Sequence, residues 1–113
     1  IWLLFFMFRV FTTSEFDSDF YNLDESDKKR VRNIMEQLKE QGGTVGKPLG
    51  RPYFREKKFG EKRLYFLVYN QFMIILAVGI SNKKMQQETI NKIISEIKNY
   101  ETFIVKKLKE QKD

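Results

Sequence analysis

The chain has 113 residues, 21 Lys and Arg against 15 Asp and Glu, a net charge of +6, and neither Cys nor His. That excludes a disulfide framework, a Cys- or His-based metal site, a thiol nucleophile and an imidazole acid or base. The length and a 42% hydrophobic content fit one folded domain, read here as 7–113.

The first six residues, Ile1 to Phe6, are apolar. They are too few to span a bilayer and lack a basic start, so they read as an N-terminal extension ahead of Met7. The competing reading is a first strand from Trp2 to Thr12. Residues 7–13 are rich in Phe, Val and Thr and predict a strand. Ser14 and Asp17 then form an N-cap pattern, and Phe16 and Phe20 stand four apart, which predicts a short helix over about 14–22. Asp24 or Ser26 can cap a second helix. Its apolar positions Val31, Ile34, Met35 and Leu38 fall on one face, and Gly42-Gly43 ends it.

Gly46, Pro48, Gly50 and Pro52 predict a loop over 44–52. Residues 53–59, 61–69 and 72–80 read as three strands, joined by turns at Gly60 and at Asn70-Gln71. The last two are apolar throughout, so at least one is central and covered on both faces. Phe66 and Phe72 read as core. Ser81-Asn82 can cap a final helix carrying Ile90, Ile93, Ile94 and Ile97, continued by Tyr100, Ile104 and Leu108, with fraying over 106–113. The order is β-α-α-β-β-β-α. This is an α+β fold: an N-terminal strand, a helical hairpin, a three-stranded antiparallel meander completing a small twisted sheet, and a C-terminal helix. The uncharged run 64–80 is too short for a comfortable membrane span, and the chain reads as soluble and cytoplasmic, with no membrane partner.

Charge is unevenly placed. Residues 14–27 carry six acids and no base, whereas 28–63 carry twelve bases and four acids. Three basic clusters result. Arg55, Lys57 and Lys58 lie on a predicted strand, where alternation puts Arg55 and Lys57 on one face. Lys62 and Arg63 open the next strand, and pairing across Gly60 is expected to bring Arg63 near Arg55 or Lys57. Like charges opposite one another destabilise a sheet, so such a cluster suits a bound anion; the alternative is a solvated, lysine-protected sheet edge. Lys83 and Lys84 flank the proposed start of the last helix, where free N–H groups favour phosphate, or else point into water. Gln86 and Gln87 read as solvent-facing. Tyr53 and Tyr65 are the better candidates for exposed rings that stack on bases beside the cations.

The segments Gly46-Lys-Pro-Leu49, Phe54-Arg-Glu-Lys-Lys-Phe59 and Lys62-Arg-Leu-Tyr-Phe-Leu-Val-Tyr69, with Asn82-Lys-Lys-Met-Gln-Gln-Glu-Thr-Ile90 after the last strand, resemble toxins of the RelE/ParE superfamily, in particular an archaeal-type RelE branch. The resemblance covers about 7–98. It implies a type II toxin-antitoxin toxin that cleaves mRNA on the ribosome, uses no metal or cofactor, and is held inactive by a cognate antitoxin. By position, Arg55, Lys57, Arg63 and Lys84 match the family's basic site residues and are expected to be catalytic; Lys58, Lys62, Lys83, Tyr53 and Tyr65 are, from the clusters above, the expected RNA contacts. The RNA 2′-hydroxyl would attack the adjacent phosphate, with the cations stabilising the transition state and a lysine of lowered pKa as base. One departure stands out: Ile90 occupies the place of the family's catalytic tyrosine. The alternative is therefore a ParE-like gyrase inhibitor, or a degenerate toxin that only binds its antitoxin.

Overall fold

The computed structural model describes residues 7–110. The proposed extension over 1–6 lies outside them, as do 111–113. In chain order the elements are β1 (Arg9–Thr12), α1 (Ser14–Tyr21), α2 (Glu25–Gln41), β2 (Lys47–Arg51), β3 (Phe54–Phe59), β4 (Lys62–Tyr69), β5 (Ile74–Asn82), α3 (Gln86–Ser95) and α4 (Ile97–Glu110). The five strands form one sheet in the order β1-β5-β4-β3-β2. β1 runs parallel to β5, and every other pair is antiparallel.

Local chemistry explains the helix ends. Thr13, rather than Ser14, caps α1, its hydroxyl accepting from the Phe16 N–H at 3.1 Å. The Asp24 carboxylate caps α2, accepting from the Asp27 N–H at 2.7 Å. These caps satisfy donors that the helix itself leaves unpaired. Gly42 ends α2 at φ 56°, where a β-carbon would strike the Phe8 ring.

Four departures from the sequence reading have physical causes. The expected loop 44–52 contains β2, an edge strand paired irregularly with β3 through Lys47–Glu56, Pro48–Arg55 and Arg51–Phe54. An edge tolerates Pro48, because one side of the strand needs no ladder partner. The second strand turn is a short 3₁₀ turn over Asn70–Phe72 closed by Met73 at φ 54°, and this leaves Phe72 exposed instead of in the core. β5 runs on to Asn82 because it keeps pairing with Lys62 and Arg63, so the last helical region begins only at Gln86. That region is also two helices. The Ser95 hydroxyl donates to the Lys92 carbonyl at 2.6 Å, and the Glu96 N–H bonds to Ile93 instead of continuing the ladder. α4 continues through Glu110, so 106–110 are helical rather than frayed.

Both apolar strands, β4 and β5, are central, and each of their faces is covered. On one face Leu64, Phe66, Val68, Ile75 and Ala77 meet Phe16, Val31, Ile34 and Leu38 of α1 and α2. On the other, Phe54, Tyr65, Leu67, Ile74, Leu76 and Val78 meet Ile93 and Ile104 of α3 and α4. These are called below the hairpin face and the tail face. Each fully buried Leu or Phe side chain stabilises the fold by about 1.5–3 kcal/mol relative to exposure. Among the described residues no helix is long and apolar enough to cross a membrane.

Candidate functional site

The β3–β4 hairpin turns at Gly60-Glu61, pairing Phe59 with Lys62, Lys58 with Arg63, Lys57 with Leu64, Glu56 with Tyr65 and Arg55 with Phe66. Directly opposed residues share a face. Arg55 and Lys57 therefore lie on the hairpin face with Leu64 and Phe66, whereas Arg63 lies on the tail face with Lys58 and Glu56. The expected cluster of Arg55, Lys57 and Arg63 does not form. Arg55 and Lys57 project from one side of the sheet and Arg63 from the other.

On the hairpin face Arg55 and Lys62 have partners. Arg55 donates from Nε to the Val45 carbonyl at 2.9 Å and from Nη2 to the Gly46 carbonyl at 3.0 Å, pinning the segment that leads into β2. Gly46 fits there because it holds φ 69° and a β-carbon would collide with the Glu56 carbonyl. Lys62 reaches Asp27 at 2.8 Å, and Arg30 reaches the same carboxylate at 2.7 Å. The hydrogen bonds from Lys62 and Arg30 hold the Asp27 pKa below the usual carboxylate range. Lys57 is half-buried.

The tail face differs. Arg63 is 8% exposed, and its Nε and Nη1 have no hydrogen-bond partner. Its one ion pair among the described residues, Nε to Glu56 Oε1, is long at 3.9 Å. Glu56 is 4% exposed. The Gln86 amide at the start of α3 donates to both of its oxygens, at 3.3 and 3.1 Å. Lys47, on the edge strand, approaches Oε1 at 3.7 Å from solvent. Lys58 is exposed opposite Arg63. The two unpartnered nitrogens are closed to solvent, and the cations an anion would meet first are the exposed lysines beside them.

The aromatic expectations divide. Tyr53 is exposed, at 38%. Tyr65 is fully buried, correcting its place as a stacking ring, and its hydroxyl shares a 2.8 Å hydrogen bond with Ser81 Oγ. Burial raises its pKa. Alternation alone could not expose Tyr65, because both faces of β4 are covered. Ile90 is part of the packing against the tail-face core, where it offers no hydroxyl. Tyr100, in the first turn of α4, is half-buried and its pKa is pushed up to about 12 by burial. Lys83 and Lys84 are exposed, in the turn before α3 rather than in its first turn. Asn82 Oδ1 accepts from the Met85 N–H there at 2.9 Å, closing that turn. Gln87 bonds Asn91 along the helix, and only Gln86 reaches the site.

Glu56 and Gln86 are the members the sequence reading missed. The available signal was parity: Glu56 is the one acid in the run Arg55 to Lys58, and alternation sets it on the face opposite Arg55 and Lys57. Among the described residues no cluster of three carboxylates could hold a metal ion.

No protein-family model matches the chain, and no curated protein matches it either. Solved structures do. A double arginine-to-alanine variant of the Escherichia coli toxin RelE in the free state superposes with a TM-score of 0.63 at 12% identity, covering 77% of this chain and 98% of that one. The RelB–RelE antitoxin–toxin complex from Methanococcus jannaschii gives 0.56 at 14%, covering 70% and 96%. A RelBE toxin–antitoxin complex from Mycobacterium tuberculosis gives 0.54 at 18%, covering 68% and 99%. The chain thus has the α+β fold of the RelE toxins. It spans nearly the whole of each of these structures, and part of it extends beyond them.

Proposed function

We propose that this chain is the toxin of a type II toxin–antitoxin pair and that it acts as a metal-independent endoribonuclease on mRNA at the ribosome. The observation that carries the reading is Arg63: a buried guanidinium with two unpartnered nitrogens, on a polar corner of a sheet that shares the RelE fold. Uncovered on substrate binding, its donors would stabilise the charge that develops when an RNA 2′-hydroxyl attacks the neighbouring phosphate. Lys58, Lys47, Lys83 and Lys84 surround that corner as exposed cations and would hold the flanking backbone. Tyr53 is the remaining candidate for stacking on a base. Several solved relatives of the fold are complexes with an antitoxin, which supports an antitoxin partner here.

The test is synthesis of the protein in a cell-free translation reaction, with primer extension on the mRNA. Arrested translation with discrete cuts is expected, and Arg63→Ala should remove the cuts while the far-UV circular dichroism stays unchanged. Intact mRNA under arrested translation, or translation that continues, would overturn the reading. Two observations favour the second reading, a gyrase inhibitor or an antitoxin binder without nuclease activity: Ile90 is a packing residue, and Tyr65 is sealed in the core. Blocked supercoiling with uncut mRNA would select it.

A further inference from the structure

β1 stops short of the strand it pairs with. It covers β5 only from Ile74 to Ala77, with the Thr13 N–H reaching the Ala77 carbonyl at 3.2 Å, yet β5 continues to Asn82. Beyond Ala77 a helix side chain takes the place of a strand: the Asp19 carboxylate of α1 accepts from the Ile80 N–H at 3.3 Å. The N–H and C=O of one strand residue point the same way, so the Ile80 carbonyl also faces this open edge.

The open edge is the floor of a cleft of about 630 Å³ between α1 on one side and α3 and the start of α4 on the other. Val78, Ile80 and Ile93 make its floor apolar. Its rim is acidic, with Glu15 and Asp19 from α1 and Glu88 and Glu96 from the α3 side. Among the described residues none of these four carboxylates joins an ion pair. Two lysines also line the cleft. Lys62 is taken by Asp27, which leaves Lys92 against four acids. Burial raises the Asp19 pKa even with Lys92 nearby, so its charge is under-compensated.

This is a local inversion of sign on a chain of net charge +6. It disfavours a phosphate backbone and favours a cation. An apolar floor and an outward strand carbonyl are more than a small cation can use. Both suit an extended peptide, which pairs its main chain with a sheet edge and sets its side chains in flanking pockets. We propose that the cleft docks an extended, lysine- or arginine-rich segment of another protein, lying as a short strand along residues 78–82 of β5. A peptide N–H donates to the Ile80 carbonyl. Successive side chains lean to opposite sides, one set toward Glu15 and Asp19 and the other toward Glu88 and Glu96. Their aliphatic stems cover Val78 and Ile93 while the charged ends reach the rim. Asp19 need not release Ile80, because a carboxylate has acceptor positions for both that N–H and an incoming ammonium. The contact is independent of whether the chain cuts RNA.

The experiment is fluorescence anisotropy on the full chain with labelled peptides of about eight residues, long enough to run past the open edge. The probe alternates lysine and valine, and its counterpart alternates glutamate and valine. The lysine peptide should bind at least about tenfold tighter, and its affinity should fall with added salt. Methylating its backbone nitrogens should weaken binding about tenfold, because the bond to the Ile80 carbonyl is lost. In the protein, the pair Glu15→Lys and Glu88→Lys should weaken binding at least about tenfold with unchanged circular dichroism, whereas Glu40→Lys on α2, outside the cleft, should not. Equal binding of the lysine and glutamate peptides to the wild type overturns the proposal, whatever the fate of the variants. So does a lysine peptide indifferent to Glu15→Lys with Glu88→Lys. Spermidine competing as well as the peptide, with no effect of backbone methylation, would reduce the cleft to a small-cation site and overturn it too. Self-association of the wild type that is lost in the double variant would seat a second copy there in place of another protein.

Discussion

The two faces of the β3–β4 hairpin carry similar residues and treat them in opposite ways. On the hairpin face Arg55 is fastened to two backbone carbonyls, and Lys62 is joined to Arg30 through Asp27. On the tail face Arg63 is as deeply buried as a core residue yet has two nitrogens without partners. One face uses its cations to hold the fold together. The other keeps a cation short of partners, at a stability cost that an arriving anion would relieve.

That contrast can be broken by experiment. The largest expected effect is on chemistry: Arg63→Ala should lower mRNA cleavage by about 10²–10³-fold, the usual cost of one missing oxyanion donor, as read by primer extension. Next comes packing. Phe66→Ala, on the hairpin face, should cost about 3–5 kcal/mol of stability in urea unfolding, since its ring is fully buried. A sharper comparison sets two arginines side by side. Arg55→Met should lose about 1–3 kcal/mol, because the carbonyls of Val45 and Gly46 lose their donors. Arg63→Met should leave the melting temperature unchanged or raise it, because an apolar chain replaces an unsatisfied buried charge. Equal losses in the two variants would erase the distinction between the faces.

Smaller effects follow from titration and capping. The Asp27 pKa is lowered in the folded state, so its contribution is present above its unfolded value, near 3.8, and is lost as the pH falls through the lower folded value. Asp27→Asn should therefore destabilise the protein at neutral pH, with the gap to wild type closing in acid, as followed by thermal melts across pH. Asp19 runs the other way. Burial raises its pKa while its carboxylate accepts from the Ile80 N–H at 3.3 Å. Its charge opposes folding at neutral pH, and that penalty disappears as the pH falls below its unfolded value. Asp19→Asn should raise the neutral melting temperature slightly, with no gain at acid pH. Thr13→Ala should cost about 1 kcal/mol, the value of one helix cap.

Much of this architecture was legible in the residues. The period of Val31, Ile34 and Leu38 marks α2, and the uncharged runs mark the two central strands. Three features were not. Pro and Gly in 47–51 signal a loop, but an edge strand needs hydrogen bonds along only one side, so β2 forms despite them. The isoleucine pattern runs unbroken across Glu96, so the interruption between α3 and α4 leaves no periodic trace. The composition of the site depended on register. With a two-residue turn, an odd-numbered residue always opposes an even-numbered one, so Arg55 and Arg63 must fall on different faces. Alternation along one strand was visible in the sequence. The register across the turn, which sets Glu56 beside Arg63, follows only once the turn length is known.

The parallel pairing of β1 with β5 has a consequence for how the molecule assembles. Arg9 finds its partner at Ile74, and Thr12 at Ala77. The helical hairpin and the three antiparallel pairings, β2 with β3, β3 with β4 and β4 with β5, are all formed from nearer neighbours, so they can order first. β1 must wait until nearly the whole sheet has been synthesised, and long-range parallel pairing of this kind is slow. It also brings only four residues to the ladder. The strand that completes the sheet is therefore expected to be the last to dock during refolding and the first to peel away under denaturant.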